Sequence, residues 1–246
     1  MLNNRVTVTR QDGRVELEVA GASFSSWHPR LLMTGLAWDA ITAASLLRPA
    51  GPPKTVLMLG LGGGTVARQL KVISPDTRIT AVELDADVLA MARQHMELDG
   101  LGVETIVGDA YEFVLRERRR FDVLIDDLYV TGRDDVWRPK PPDRDLLEHY
   151  GRRLTCGGLV VINVVTGPGH RRVQSLIRRA MASTFPDVRS VRPSEGFNEV
   201  LVGGAAVRPS RALIDYGSRL RESEDRCQWQ RMRVRRLGRS EANPEV

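Results

Sequence analysis

A glycine-rich turn and two acidic residues recur along the chain at the spacing of a nucleotide site. The turn at residues 60–64 (GLGGG) follows the apolar run KTVLMLG and opens a helical segment. Glycine permits a tight turn and lets the backbone approach a ligand closely. Glu83 ends the next apolar run, and Asp109 follows the one after it. We expect Glu83 to accept hydrogen bonds from ribose hydroxyls and Asp109 to accept one from an adenine amino group.

Each feature alone also fits a simpler interpretation, namely a strand-helix turn without a ligand or a solvated loop acid. Their order distinguishes two cofactor classes. A dinucleotide fingerprint has a third glycine where this chain has Thr65, and the acid after the third strand favours an adenosyl sulfonium such as S-adenosylmethionine. The turn would then face the amino acid part of that cofactor. The predicted cofactor-binding residues are Gly60, Gly62, Gly63, Gly64, Glu83, Asp109 and Ala110.

Short apolar runs alternate with helix-like segments after Pro53, which predicts an α/β fold. The runs KTVLMLG, RITAVEL, VETIVGD, FDVLID and GLVVINVV predict five strands, and DVRSVRP with NEVLVGG predicts a closing pair. Strands that alternate with helices form parallel β-α-β units. We therefore expect a doubly wound, mostly parallel sheet that binds its ligand beyond the C-terminal ends of the strands.

Three segments are predicted along the chain. Residues 1–50 should form a small N-terminal β-hairpin and a helix, residues 51–208 the nucleotide-binding domain, and residues 209–246 a C-terminal helix and a basic tail. The stretch 231–239 holds five arginines and no acid. We expect a solvated, disordered tail there, and a nucleic acid is not the expected partner.

The composition, with 42% hydrophobic and 27% charged residues, is typical of a globular protein. No apolar run approaches the roughly 20 residues that cross a bilayer, and the first ten residues lack an apolar signal region. Cys156 and Cys227 are too few for a disulfide scaffold, and the scattered histidines give no metal-ligand spacing. We expect a cytoplasmic protein with no metal and no membrane partner.

The sequence resembles the spermidine synthase family of polyamine aminopropyltransferases over about residues 5–205. VLMLGLGGGT is similar to the family's glycine segment, and ITAVELDADVLAMAR to its ribose-binding strand and helix. The pairing of IVGDAYEFV with FDVLIDD resembles its adenine-binding segment and catalytic strand. The resemblance implies a Rossmann-like fold of the class I methyltransferase type, S-adenosylmethionine or its decarboxylated form as cofactor, and allows a homodimer.

The resemblance is weaker on the polyamine side. The family usually has an acid between the glycines, where this chain has Gly62, Gly63 and Gly64. Val130 stands where the family's second catalytic-strand aspartate grips the far end of a diamine. A glycine turn without an acid could accept a carboxylate on its backbone N–H groups, which favours the ordinary cofactor over the decarboxylated one.

Asp127 is the candidate catalytic residue, because it ends the fourth predicted strand and matches the family's first aspartate. Asp126 competes with it, but adjacent strand residues point to opposite faces, so only one should face the ligand. Tyr129, Trp38 and Asp39 are the candidate acceptor-pocket residues. The loop 131–142 is long enough for a lid, and its Asp134 and Asp135 would attract a cationic acceptor unless they are simply solvated.

Methyl transfer to a small acceptor, which could be an amine, is the expected reaction. Asp127 would orient or deprotonate the nucleophile. Aminopropyl transfer from the decarboxylated cofactor is the first alternative, and a non-catalytic adenosyl-binding module is the second.

Overall fold

The computed structural model describes residues 6–132 and 136–238. Asp134, Asp135 and Arg239 lie outside this part of the chain. The strands are β1 (Val6–Gln11), β2 (Arg14–Val19), β3 (Ala22–Trp27), β4 (Thr55–Leu59), β5 (Arg78–Glu83), β6 (Glu104–Val107), β7 (Phe121–Asp126), β8 (Val130–Thr131), β9 (Val136–Trp137), β10 (Leu154–Val165), β11 (Asp187–Arg192), β12 (Asn198–Gly204) and β13 (Arg233–Arg236).

Helices separate most of these strands. They are α1 (Ala37–Ser45), α2 (Thr65–Ile73), α3 (Ala86–His95), α4 (Ala110–Arg116), α5 (Arg144–Arg152), α6 (Arg171–Thr184), α7 (Ile214–Gly217) and α8 (Ser223–Arg231). None of the helices in the described residues is long and apolar enough to span a membrane.

The central sheet confirms the predicted fold class. Its strand order within the described residues is β13-β11-β12-β10-β7-β4-β5-β6. The strands from β10 to β6 run parallel, and β12, β11 and β13 complete the sheet by antiparallel pairing. Within this sheet the chain begins at β4, continues outward through β5 and β6, and then returns to form β7 on the other side of β4. The sheet therefore has its topological switch point between β4 and β7, where such folds bind ligands.

The side chains of the parallel strands alternate between two apolar layers. In β4, Val56 and Met58 pack with α1, α2 and α3, whereas Leu57 and Leu59 pack with α4, α5 and α6. A strand that is buried on both faces reads as a continuous apolar run, which is why these strands are recognisable in the sequence.

The N-terminal segment is larger than the predicted hairpin. Strands β1, β2 and β3 form an antiparallel sheet, and the third strand, ASFSSW, has too little hydrophobic alternation to be recognised. Val15 and Leu17 of β2 join the same apolar layer as α1, α2 and α3. This sheet covers one side of the switch point, and its residues Ser23 and Phe24 lie next to the switch point.

The expectation of a disordered arginine tail was wrong for the part that the structure describes. Residues 233–236 form β13, which pairs with β11 at the edge of the central sheet. Charged side chains are common on edge strands because they oppose pairing with another chain. The predicted C-terminal helix is also broken, because a 3-10 turn and two short helices cover residues 210–231.

Candidate active site

Hydrogen bonds beyond the last strand residues bring three loops together at the switch point. They extend the ladder of the parallel sheet by one residue at each strand end. The three bonds, each 2.9 Å long, run from Gly60 N to Val82 O, from Gly108 N to Glu83 O and from Asp127 N to Leu59 O. The residues that end or follow β4, β5, β6 and β7 are therefore fixed in register.

A cavity of about 610 Å³ opens at this point. Eight residues that the sequence predicted for the site line it: Gly60, Gly62, Glu83, Asp109, Ala110, Asp127, Tyr129 and Trp38. Gly63, Gly64 and Asp39 are not among its lining residues. Part of the glycine turn, both predicted nucleotide-binding acids and the predicted catalytic acid thus share one cavity.

Glu83 is held by the glycine turn. Its Oε2 accepts hydrogen bonds from Leu61 N (3.1 Å) and Gly62 N (2.9 Å), and its Oε1 accepts one from Asp85 N (3.2 Å). The side chain is 9% exposed. A carboxylate can accept about four hydrogen bonds, so Glu83 is oriented by the backbone and retains acceptor capacity for a hydroxyl group.

The remaining N–H groups of the turn also donate within the protein. Gly60 N donates to Val82 O, Gly63 N to Ser25 Oγ at 2.6 Å, and Gly64 N to Leu61 O. The turn therefore orients Glu83 and leaves no N–H group between residues 60 and 64 for a carboxylate. This result corrects the sequence-based argument that the turn itself would bind the carboxylate of the cofactor.

Gly63 and Gly64 serve packing. A Cβ on Gly63 would clash with Met96 Sδ and would lie 2.8 Å from Ser25 Cβ. Gly64 has φ +86°, and a Cβ there would lie 2.8 Å from Leu98 Cδ1. The turn is glycine-rich at these positions because β3 and the segment after α3 approach it closely.

Asp109 has two roles open to it. Its Oδ1 accepts hydrogen bonds from Tyr111 N (2.7 Å) and Glu112 N (3.2 Å), so it caps α4. The exposed side chain also lines the cavity, and its second oxygen is available to a ligand donor. Ala110 lies beside it in the first turn of α4.

Asp126 and Asp127 diverge as strand geometry requires. Asp127 lines the cavity and is partly accessible through it, whereas Asp126 is fully buried. Burial against the surrounding protein raises the pKa of the Asp127 carboxyl group. The hydrogen bond from Asn163 and the positive charge of Arg138 oppose this rise. Asp127 therefore holds a proton more strongly than an ordinary aspartate does.

Asp126 anchors the loop that closes one side of the cavity. Arg138 forms an ion pair with it, and Tyr150 Oη donates to its Oδ2 at 3.1 Å. Burial lowers the pKa of Arg138, but the charge of Asp126, together with the interactions with Tyr129 and the hydrogen bond to Asp126, outweighs this effect and raises it. The guanidinium also lies 4.7 Å from the ring centroid of Tyr129. A second contact with this loop is the hydrogen bond that Tyr111 Oη donates to Lys140 O at 2.9 Å.

Asp39, a predicted acceptor-pocket residue, does not line the cavity. It is 1% exposed and accepts hydrogen bonds from Thr34 N, Gly35 N and Gln69 Nε2. Burial raises the pKa of its carboxyl group, and these bonds oppose the rise. Asp39 holds the segment before α1 in place, so that the neighbouring Leu36, Ala37 and Trp38 line the cavity.

Several lining residues were not predicted from the sequence. Apolar ones include Phe24, Leu36, Val136, Val165 and Phe197, and polar ones include Asn163 and Asn198. Asn163 carried a usable signal, because a single amide within the apolar run GLVVINVV must find a polar partner when buried. The others lie in loops or strand ends, where sequence does not indicate which side faces a cavity. No group of three His, Cys, Asp or Glu side chains among the described residues is arranged to hold a metal ion.

This chain is similar in sequence to proteins with two different activities. A methyltransferase domain family matches residues 56–158. The polyamine aminopropyltransferase of Neisseria meningitidis is 31% identical over 195 residues, which cover 76% of this chain and 69% of that protein. The eEF1A lysine and N-terminal methyltransferase homolog of Drosophila melanogaster is 32% identical over 157 residues, which cover 60% of this chain but 23% of that protein.

A solved structure supports the same fold. A probable spermidine synthase from Corynebacterium glutamicum superimposes with a TM-score of 0.68 at 19% identity, over 83% of this chain and 78% of that chain. At this identity the likeness concerns the fold alone.

Replacing Gly63 by alanine tests the packing of the turn. We expect Gly63→Ala to lower the free energy of unfolding by about 1–3 kcal/mol, because Ser25 and Met96 must move to admit the new methyl group. Gly100→Ala is the matched control, since a Cβ there has nothing within 4 Å. Urea unfolding measures both variants, and equal stability of the two would contradict the packing role.

Arg138→Met tests the loop anchor. We expect a loss of about 3–5 kcal/mol, because Asp126 would remain buried without its partner. Adding Asp126→Asn should recover part of this loss, since no unpaired charge remains and Tyr150 keeps an acceptor. Arg144→Met, which removes an exposed ion pair with Glu148, should cost less than about 1 kcal/mol in the same urea titration. Similar losses for Arg138→Met and Arg144→Met would rule out the anchor.

Proposed function

This chain belongs to the spermidine synthase (polyamine aminopropyltransferase) family, and from that premise we propose that it transfers a methyl group from S-adenosylmethionine to a small nucleophilic acceptor. The proposal depends on one observation. Gly60, Glu83, Asp109 and Asp127, which follow or end four adjacent strands, all line the same cavity.

The dimensions of the sheet edge suit an adenosyl ligand. Four adjacent strands span three strand spacings, or about 14 Å, from the end of β6 to the end of β7. In the proposed arrangement Asp109 and Ala110 would hold the adenine, Glu83 would hold the ribose hydroxyls, and Gly60 and Asp127 would border the reactive end of the cofactor. Apolar residues dominate the lining, as expected of a cavity that must exclude water around a reactive group.

Asp127 is proposed to act on the acceptor. A bound S-adenosylmethionine would supply an activated methyl group, with S-adenosylhomocysteine as the leaving group. The Asp127 carboxylate would hold the N–H or O–H group of the acceptor in line and take its proton. Its raised pKa makes it a better proton acceptor than an ordinary aspartate.

Two features favour the ordinary cofactor over its decarboxylated form. Gly63 supplies no acid for the ammonium group of an aminopropyl arm, and its surroundings leave no room for one. The N-terminus of α1, with no side-chain cap, places Ala37 and Trp38 at the cavity. The positive end of a helix dipole favours a carboxylate over an unaccompanied ammonium group.

Aminopropyl transfer is the second candidate. It is favoured by the 31% identity to the aminopropyltransferase of Neisseria meningitidis. The cavity lining argues against a diamine acceptor, because it includes the apolar residues Val130, Val136 and Val165. An acceptor with one nucleophilic group and an apolar body fits these side chains better.

The two candidates differ in cofactor and product. We expect calorimetry to give at least tenfold tighter binding of S-adenosylmethionine than of its decarboxylated form. An acceptor screen should release S-adenosylhomocysteine and not methylthioadenosine. The reverse affinity order, with methylthioadenosine as product, would support aminopropyl transfer. Glu83→Ala is the control, because loss of the ribose contacts should weaken both cofactors by a similar factor.

Asp127→Asn should separate binding from chemistry. We expect cofactor affinity to stay within about twofold and turnover to fall by about 10²–10⁴, because the amide cannot accept a proton. In the wild type, activity should fall as pH decreases through the raised pKa of Asp127, since only the ionised carboxylate accepts a proton. This acidic limb should be absent from the residual activity of the variant. Wild-type turnover by Asp127→Asn would remove Asp127 from the mechanism.

A further inference from the structure

Asn163 connects the cavity to the core of the sheet. It lies on β10, is 6% exposed, and lines the cavity beside Asp127. Its Nδ2 donates to Asp127 Oδ1 at 2.8 Å. An ionised carboxylate accepts hydrogen bonds only, so the group that faces it must be the NH₂ of the amide.

A second amide fixes this orientation. Asn198, at the start of β12, donates from its Nδ2 to Asn163 Oδ1 at 3.0 Å. A reversed Asn163 amide would place NH₂ against NH₂ and oxygen against carboxylate, so both contacts would be lost together. The two hydrogen bonds therefore run in one direction, from Asn198 to Asn163 and from Asn163 to Asp127.

The main chain of Asn163 is held as firmly as its side chain. Its carbonyl oxygen accepts hydrogen bonds from Arg138 Nη2 at 2.7 Å and from Tyr129 Oη at 3.2 Å. Tyr129 Oη in turn accepts one from Val165 N at 2.9 Å. The loop anchor and the Asp127 contact thus meet at one residue.

The two oxygens of Asp127 consequently differ. Oδ1 is occupied by Asn163, whereas Oδ2 receives no hydrogen bond from the described residues and is not an enclosed atom. Because Asp127 lines the cavity, Oδ2 is the oxygen that an acceptor can reach.

We propose that Asn163, oriented by Asn198, is a positioning residue that holds Asp127 through Oδ1 and presents Oδ2 to the nucleophile. This inference rests on the proposed function of Asp127 as the group that receives the acceptor's proton. Asn163 acts in two ways, because its hydrogen bond fixes the carboxylate plane and stabilises the ionised form.

Other charged groups also act on Asp127. The positive charge of Arg138 favours its ionised form, and the negative charges of Asp126 and Glu83 oppose it. These three groups remain when Asn163 is replaced, so a change in the titration of Asp127 reports the lost hydrogen bond.

The test uses the full-length protein with ¹³C-labelled aspartate and follows the Asp127 carboxyl signal by NMR, assigned with Asp127→Asn. We expect Asn163→Ala to raise the pKa of Asp127 measurably, because a donor to the ionised form is lost. We also expect kcat to fall at least tenfold while cofactor affinity stays within about twofold. The acidic limb of the pH–rate profile should move upward in the same variant. In the Asp127→Asn background, Asn163→Ala should cause little further loss of turnover.

Two other variants keep the test informative if Asn163→Ala folds poorly. Asn198→Ala should raise the pKa of Asp127 in the same direction but by less, because Asn163 keeps its donor and loses only its orientation. Gln174→Ala is the matched control, since Gln174 donates to the buried carboxylate of Glu199 at 2.8 Å outside the cavity. It should leave the pKa of Asp127 unchanged.

The outcomes separate this inference from the proposed function. An unchanged Asp127 pKa in folded Asn163→Ala and Asn198→Ala would overturn the positioning role, whatever the activity. A shifted pKa in a protein that transfers no methyl group from S-adenosylmethionine to any acceptor tested would support the positioning role while overturning the proposed transfer.

Discussion

The site depends on how closely the ends of β4 and β7 approach each other. A Cβ on Gly60 would lie 2.5 Å from Asp127 O, and Gly60 has φ +88°, so glycine is required there for both contact and conformation. The hydrogen bond from Asp127 N to Leu59 O closes the same gap. If these strand ends were further apart, the glycine turn and the carboxylate of Asp127 would no longer border one cavity. The register of the parallel strands then determines where Glu83 and Asp109 lie, because each follows a strand that is hydrogen-bonded to its neighbour.

The glycine turn contributes to this arrangement indirectly. All its N–H groups from residue 60 to 64 donate within the protein, and two of them hold Glu83. Its function at the site is to orient a carboxylate that belongs to the protein. In the proposed function, discrimination between cofactors then depends on the N-terminus of α1, which the segment held by Asp39 positions, and β3 contributes Ser23 and Phe24 to the cavity lining. The small N-terminal sheet is therefore part of the site.

The sequence predicted the parts of the fold in which local pattern and tertiary environment agree. Doubly buried strands read as apolar runs, and the acids at their ends could be aligned by spacing, so Glu83, Asp109 and Asp127 were identified. Prediction from the sequence failed where the tertiary environment determines the structure. The serines of β3 interrupt the apolar pattern by which a strand is recognised. The arginines of β13 are compatible with an edge strand as well as with a solvated tail. Asp39 lies next to Trp38, yet only helix packing determines that one faces the cavity and the other the core. Asn163 could have been suspected from its apolar surroundings, but its partner Asp127, which follows β7, could not.

The adjacent aspartates at the end of β7 show how one strand divides two tasks. Among the described residues, the guanidinium of Arg138 is the one that contacts the pair, and it binds Asp126 on the buried face. Asp127 on the opposite face receives an amide donor in place of a full positive charge. A charged partner would stabilise the ionised form so strongly that the carboxylate would be a poor proton acceptor, whereas a neutral amide orients it at a smaller cost in basicity. The same arrangement links Asp127 to the loop, because Arg138 contacts both Asp126 and the carbonyl oxygen of Asn163, whose side chain binds Asp127. Asp127 is held by the neutral amide of Asn163, and the charge of the adjacent Asp126 is neutralised by Arg138. The Asp127 carboxylate therefore combines a defined position with a high proton affinity.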